Sequence, residues 1–250
     1  MGGRGMAKGE LSSRALPRVF IPGATADEPV DLPREELEKF RKVLRLGPGD
    51  LIAVLPGDGS LIRCELQGRQ AVPLRVEWPK TESDLDLTIA QALPKGDKLE
   101  TVVRMCTEMG VGGFVLFPSE RSVVKWEPSK LQDRLRRYAA VAQEATEQSF
   151  RVRLPRLEVA ASLAEVLKRH PDSTVLSEAE SVNRRLSVTG PQMTVVVGPE
   201  GGWSPRELTL IGERGVTLGP RVLRADTAGP AAAAILLLGN APPGDRAGTL

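Results

Sequence analysis

A run of β-branched residues, Val195-Val196-Val197, breaks at Gly198 into Pro199-Glu200-Gly201-Gly202-Trp203, and Ser204-Pro205-Arg206-Glu207 follows at once. The run is short, continuous and apolar, the pattern of a strand buried on both faces and hence of a parallel sheet. Ser204 with a glutamate three residues on is a capping box, and Pro205 stands at the first helical position, so a helix starts there. Strand, tight turn and helix packed into so few residues belong to a layered α/β architecture. A second turn, Leu218-Gly219-Pro220-Arg221-Val222-Leu223-Arg224, opens another helix. Because a proline inside a helix removes a hydrogen bond, Gly229-Pro230 places that helix start between Asp226 and Gly229.

The chain from Leu87 onward repeats this alternation. Residues 97–109 carry Leu99, Val102, Val103, Cys106 and Met109 on one helical stripe, and Gly112-Gly113 leads into the strand Phe114-Val115-Leu116-Phe117. Residues 129–148 form a long helix with Leu131, Leu135, Tyr138, Ala142 and Ala145 at helical spacing. Further helices over 162–169 and 205–214 and strands over 174–176, 193–197 and 216–218 complete a mostly parallel sheet covered on both faces. Ahead of it, residues 17–80 read as a small β-rich domain. Its strands 51–55 and 61–66 are joined by an Asp-Gly hairpin turn, and a further strand covers 72–78. Residues 35–46 form a short amphipathic helix with Leu37, Phe40, Val43 and Leu44 inward, 81–86 a linker, and 1–16 a disordered extension.

The glycine turn after Val197 is not a phosphate cradle. Its spacing is neither G-x-G-x-x-G nor the lysine-bearing nucleoside-triphosphate loop, and its one charge, Glu200, would repel phosphate. Standing alone, it would be matched equally well by an ordinary strand-to-helix turn. It stands with a second loop, and the pair GPEGGWSPRE and LGPRVLRADTA resembles the C-terminal signature of SPOUT methyltransferases, specifically the RsmE family of 16S ribosomal RNA uridine-N3 methyltransferases. The resemblance continues through Gln91 to Lys98, Thr107 to Val111, Ser119 to Lys125 and Glu144 to Ser149, in order. Two departures stand out. Asp226 replaces the usual glutamate of R-x-E-T-A, and Glu38-Lys39-Phe40-Arg41 stands where a histidine pair often precedes the V-L-R-L segment.

What the resemblance implies is specific. Residues 17–80 become a PUA-like RNA-binding barrel and 81–250 a SPOUT domain with a trefoil knot. S-adenosylmethionine would be held by Leu176, Ser177 and Glu178, by Gly198, Pro199, Glu200, Gly201 and Gly202, and by Leu218, Gly219 and Leu223. Glu200 or Glu178 would serve the ribose hydroxyls or the ligand's positive charge. A guanidinium beside the target ring would stabilise the charge that develops as N3 loses its proton. Arg224 is the first candidate, with Arg221 the alternative or else a salt-bridge partner of Asp226. Asp226 is a candidate proton acceptor, with helix capping as its other role. Arg18, Arg121 and Arg153 are candidate RNA contacts, and the partners are 16S ribosomal RNA or the small subunit and a second copy of the chain in a homodimer.

Composition narrows the competing classes. The chain has 250 residues, 41% of them hydrophobic, enough for real cores. No apolar run approaches the roughly 20 residues that span a bilayer, and no membrane role is expected. Two cysteines and one histidine offer no metal spacing, disulfide framework or Ser-His-Asp triad, which fits a metal-free cytoplasmic protein. His170, beside Pro171, reads as exposed and inert. Net charge is only +2, yet the stretch from Arg121 to Arg156 holds nine Lys or Arg against four acids, a basic belt for RNA or else a solvated helix face. The rivals are a ribose 2′-O methyltransferase, whose N-V-S element is replaced here by Arg224-Ala225-Asp226, and a non-catalytic RNA-binding module.

Overall fold

The computed structural model describes residues 12–239 apart from 125, 180 and 181. Of the disordered extension expected over 1–16, residues 1–11 lie outside them, and the rest is folded: Ser13–Ala15 make a 3-10 turn and Leu16 is buried. The chain divides into two compact units. Among the described residues, one holds those up to Glu82 together with Glu147–Arg153, the other Ser83–Thr146 and 154–239.

The first unit is a five-stranded sheet. Its elements are β1 (Arg18–Phe20), β2 (Val30–Asp31), the helix α1 (Arg34–Glu38), β3 (Leu51–Leu55), β4 (Leu61–Gln67) and β5 (Gln70–Glu77), with strand order β1-β3-β4-β5-β2. Only β1 and β3 run parallel. The β3–β4 turn is set by Asp58, whose Oδ1 accepts from the Ser60 N–H and hydroxyl at 2.8 and 2.7 Å, while Gly57 and Gly59 supply φ of 92° and 105°. Val19, Leu32, Leu37, Phe40, Ile52, Val54, Ile62 and Leu66 form the core. The helix over 35–46 is shorter than its pattern implies. α1 widens into a π turn at Lys39–Val43, which rotates the later positions out of phase, so Val43 and Leu44 are 72% and 44% exposed instead of inward.

The second unit is built on six parallel strands. Along the chain it runs β6 (Asp86–Ala92), α2 (Lys98–Glu108), β7 (Gly113–Phe117), α3 (Pro128–Gln148), β8 (Arg156–Val159), α4 (Leu163–Arg169) and β9 (Thr174–Leu176). It continues with β10 (Gln192–Val197), α5 (Pro205–Ile211), β11 (Gly215–Val216) and α6 (Ala225–Ala233). The sheet order is β11-β9-β10-β6-β7-β8 and every pairing is parallel. Side chains alternate between two cores, as a strand requires. Leu87, Ile89, Val195 and Val197 join Val102, Val103 and Cys106 of α2 and Leu236 beyond α6 on one face. Ala90, Ala92 and Val196 join Leu163 and Val166 of α4 and Ile211 of α5 on the other.

Pro230 lies inside α6, past the first turn, and Ala225 is the first helical residue, earlier than the proline rule placed it. Burial outweighs the lost bond to the carbonyl four residues back. Gly229, Pro230, Ala232 and Ala233 are all buried, and a Cβ on Gly229 would stand 3.3 Å from Gln91 Oε1 and 3.6 Å from Val102. A methyl here would fit only with a small shift of the Gln91 side chain, and anything larger would crowd Val102 and Ile89.

Candidate functional site

β10, β9 and β11 lie side by side and run the same way, so the loops leaving their carboxyl ends gather at one edge, where open α/β sheets bind ligands. These loops enclose a cavity of about 410 Å³, a size suited to a small molecule. Leu176, Ser177, Glu178 and Ala179 come from the end of β9 and Gly198, Pro199, Glu200, Gly202 and Trp203 from the loop after β10. Thr217, Leu218, Arg221, Val222 and Leu223 follow β11, and Arg224, Ala225 and Ala228 begin α6. Arg121, from the loop after β7, closes one wall.

Two nominated glycines do not line this cavity. Gly219, at φ 143°, lines a neighbouring hollow with Asn183 and Arg185. A Cβ on Gly201 would meet Arg121 Cβ at 3.2 Å and its carbonyl oxygen at 3.4 Å, so the missing side chain serves contact between loops and not ligand space. The positive φ in this turn belongs to Gly202, at 66°. At Gly198 the neighbour is Trp203, whose ring a Cβ would approach to 3.0 Å. Trp203 itself is buried, and its Nε1 donates to the Leu176 carbonyl at 2.9 Å, tying the loop after β10 to the end of β9. The sequence left open whether this indole packs or meets ligand. It packs against the end of β9 and also forms part of the cavity wall.

Charge is distributed differently from the expectation. Glu200 Oε1 accepts from Lys98 Nζ at 2.9 Å and from the Lys95 N–H at 3.2 Å. Burial works against this carboxylate, but the Lys98 bond and backbone donors hold it below the ordinary 4.5, and the bond to Glu200 raises Lys98 above 10.5. The pair therefore persists between those limits and Glu200 is already balanced. Glu178 differs: desolvation alone raises it, and among the described residues no hydrogen bond or ion pair holds it. Lys98 is a residue that sequence reasoning quoted only inside a motif, because its partner lies more than a hundred positions away.

Arg221 and Arg224 are exposed on the cavity wall, and among the described residues neither forms a hydrogen bond or ion pair through its side chain. The salt bridge considered between Arg221 and Asp226 is not formed. Asp226 does not cap α6 either: the N-cap position is Arg224, and Asp226 sits in the first turn with Oδ1 buried and unpartnered. It does not line the cavity.

The remaining candidates separate. Arg121 is at the cavity, its Nη1 donating to the Gly201 carbonyl at 3.1 Å. Arg153 lies in the first unit over the β3–β4 turn, with Nη2 donating to the Asp58 carbonyl at 3.1 Å. Arg18 is 8% exposed, stacks 4.4 Å from the Phe150 ring centroid and donates to the Ser13 carbonyl at 3.0 Å, and burial lowers its pKa to about 10. It is a packing residue, not an open RNA contact. The basic belt is also largely balanced by acids far away in sequence: Arg137 meets Glu100, Arg151 meets Glu82 and Arg156 meets Asp86. His170 is engaged too, its Nδ1 lying 3.1 Å from Thr194 Oγ1. Burial pushes the Cys64 thiol up to about 12 and raises Cys106 further, so neither is a nucleophile. Among the described residues no group of three or more His, Cys, Asp or Glu gathers as a metal site.

A model of the RNA methyltransferase domain matches residues 81–237. Ribosomal RNA small subunit methyltransferase E of Bacillus subtilis is 36% identical over 78% of this chain and 84% of its own length. The chain belongs to this RNA methyltransferase family. A Synechocystis member of the same name is 33% identical over 84% of this chain and 73% of its own. Among solved structures, the Neisseria gonorrhoeae ribosomal RNA small subunit methyltransferase E bound to S-adenosyl methionine is 28% identical, covers 88% of this chain and 95% of that one, and superposes with a TM-score of 0.78. A methyltransferase from Legionella pneumophila in complex with the same cofactor is 27% identical, covers 88% and 96%, and has a TM-score of 0.79. The family match spans the whole parallel sheet and all three cavity loops.

Proposed function

We propose that this chain is an S-adenosylmethionine-dependent methyltransferase that acts on N3 of a uridine in 16S ribosomal RNA of the small subunit, and so works in the cytoplasm. One observation carries the reading: in a member of this RNA methyltransferase family, the loops ending three adjacent parallel strands form a single cavity of about 410 Å³. The fit to the cofactor rests on that cavity's chemistry. Leu176, Leu218 and Leu223 offer apolar walls for an adenine, glycine turns expose backbone groups, and Glu178 is an anionic group without a cation partner among the described residues. Leu176 to Glu178, Gly198 to Glu200 with Gly202, and Leu218 with Leu223 would hold it. When bound, the cofactor supplies a methyl group already activated on a sulfonium.

The chain's own residues then orient and manage charge. N3 lies on the pairing edge of the base, so the target must be unpaired or turned out of its stack to enter. Arg224, with Arg221 beside it, stabilises the anion that develops on the ring oxygens as the N3 proton departs. Asp226, its buried Oδ1 having no hydrogen-bond partner, is the candidate to take that proton, but it does not line the cavity and would reach the base only if the first turn of α6 opens when RNA binds. Arg121 beside the cavity and Arg153 in the first unit are the candidate RNA contacts. That unit is read as a PUA-like barrel, supported by its mixed five-stranded sheet. A trefoil knot is read in the second unit. Its support is that α6, which follows the edge strand β11, returns to pack on α2, β6 and β10.

Calorimetry after chelator treatment tests cofactor binding without metal. Mapping of modified nucleotides in small-subunit RNA incubated with the protein tests the reaction, with N3-methyluridine as the expected product. Absence of binding, or a methyl group on a ribose 2′ oxygen, would overturn the proposal.

A further inference from the structure

Glu207 is a carboxylate with only 2% of its surface exposed, and it does more than cap α5. Its Oε2 accepts from the Ser204 N–H at 3.0 Å, and the Ser204 hydroxyl accepts from the Glu207 N–H at 3.1 Å, the two halves of the capping box. Its Oε1 is used elsewhere. It accepts from the Ser119 hydroxyl at 2.8 Å and the Glu120 N–H at 3.0 Å, both in the loop after β7. The Ser204 hydroxyl in turn donates to Glu120 Oε2. The bonds therefore close a ring between two loops that are more than eighty residues apart in sequence.

One of these loops is the glycine turn that forms a cavity wall, and the other carries Arg121. Glycines give the backbone of such a turn many conformations to lose, so a turn that must be shaped before its ligand arrives needs pins from outside. A capping box alone needs only Oε2. The second oxygen, aimed at Ser119 and Glu120, sets Arg121 over Gly201, where it donates to the carbonyl.

We propose that Glu207 is a positioning residue for the cofactor cavity, its buried carboxylate clasping the loop after β7 to the glycine turn so that the wall and Arg121 are in place before ligand binds. This rests on reading the cavity as the S-adenosylmethionine site. It concerns preorganisation, and Glu207 touches neither cofactor nor base.

One variant separates the clasp from the helix cap and two more test the carboxylate itself. Ser119→Ala removes one clasp donor and leaves the cap intact. Glu207→Asp keeps a carboxylate in the first turn of α5 but is too short to reach both loops. Glu207→Gln places an amide N–H against a donor. The first readout is hydrogen exchange at the Gly202 amide, which bonds the Pro199 carbonyl at 3.0 Å, measured without ligand. The others are S-adenosylmethionine affinity by calorimetry, turnover at saturating cofactor, and thermal midpoint. Ser119→Ala and Glu207→Asp are expected to speed exchange at Gly202 and weaken cofactor binding by about tenfold. Turnover at saturation should stay within about twofold, while the thermal midpoint falls by a few degrees, because each variant also takes a partner from a buried carboxylate or its donors. Glu207→Gln should do more of the same.

Unchanged exchange and affinity in both Ser119→Ala and Glu207→Asp would overturn the proposal and leave Glu207 a helix cap. Should the unsubstituted protein fail to bind the cofactor, the functional reading falls, while exchange at Gly202 still decides the clasp.

Discussion

Arg224 stands immediately before α6, on the cavity wall, and its carbonyl accepts the Thr227 and Ala228 N–H groups at 2.9 Å. The backbone therefore anchors the helix start whatever side chain is present, which makes Arg224→Ala a clean test of the guanidinium. Turnover of small-subunit RNA should fall on the order of a hundredfold, with cofactor affinity nearly unchanged in calorimetry. Equal losses in rate and affinity would make Arg224 a cofactor-loop residue, and an unchanged rate would move the role to Arg221. The residue types at the cavity were legible because strand, glycine turn and capping box are local patterns. Partnerships were not. Glu200 was free to be assigned to a ligand only while Lys98 was unseen, and Arg18 to RNA only while Phe150 was unseen, since both are long-range contacts with no signature in spacing.

At the scale of elements, α6 is where sequence rules and structure part most clearly. Proline inside a helix costs roughly 3 kcal/mol in an exposed setting, yet Pro230 is buried with Gly229 against β6 and α2. Gly229→Val should therefore destabilise the protein by about 1–3 kcal/mol through overpacking against Gln91 and Val102, read as a lower urea midpoint with an unchanged slope. A similar midpoint to the parent would mean that α6 can shift outward freely. β7, β9 and β10 were readable as short apolar runs, whereas β1, β2, β6 and β8 were not; in β6, Asp86–Ala92, Thr88 and Gln91 interrupt the apolar residues. β1 and β2 are three and two residues long, too short for a run or a period to show. β8, Arg156–Val159, alternates exposed and half-buried positions with a period of two but over four residues only, the shortest stretch in which alternation marks a strand. The helix over 35–46 failed for another reason: a π turn shifts the phase on which a 3.6-residue reading depends.

For the whole molecule, the family resemblance implies a homodimer, with each cavity completed by residues of a second copy. Sedimentation at micromolar concentration is expected to give twice the chain mass of 26.9 kDa. A fully active monomer would refute it. The basic belt shows why charge counted along a segment misleads at this scale. Its excess over Arg121 to Arg156 was real, but Glu82, Asp86 and Glu100 lie outside the segment and offset much of it.

The first unit is not a contiguous stretch of chain, and that bears on how the protein is made. Glu82 receives the Arg151 guanidinium at 2.7 Å and the Val152 N–H at 3.0 Å, and Phe150 lies under Arg18. None of these partners exists on a nascent chain until residues 150–153 have been synthesised, after β6, α2, β7 and α3. Domains commonly fold in order as they leave the ribosome. Here the earlier-made sheet must wait, incomplete, for a segment translated in the middle of its neighbour. A fragment ending near residue 82 would lack its own closing piece, so cutting the chain there leaves the first sheet without part of its own unit.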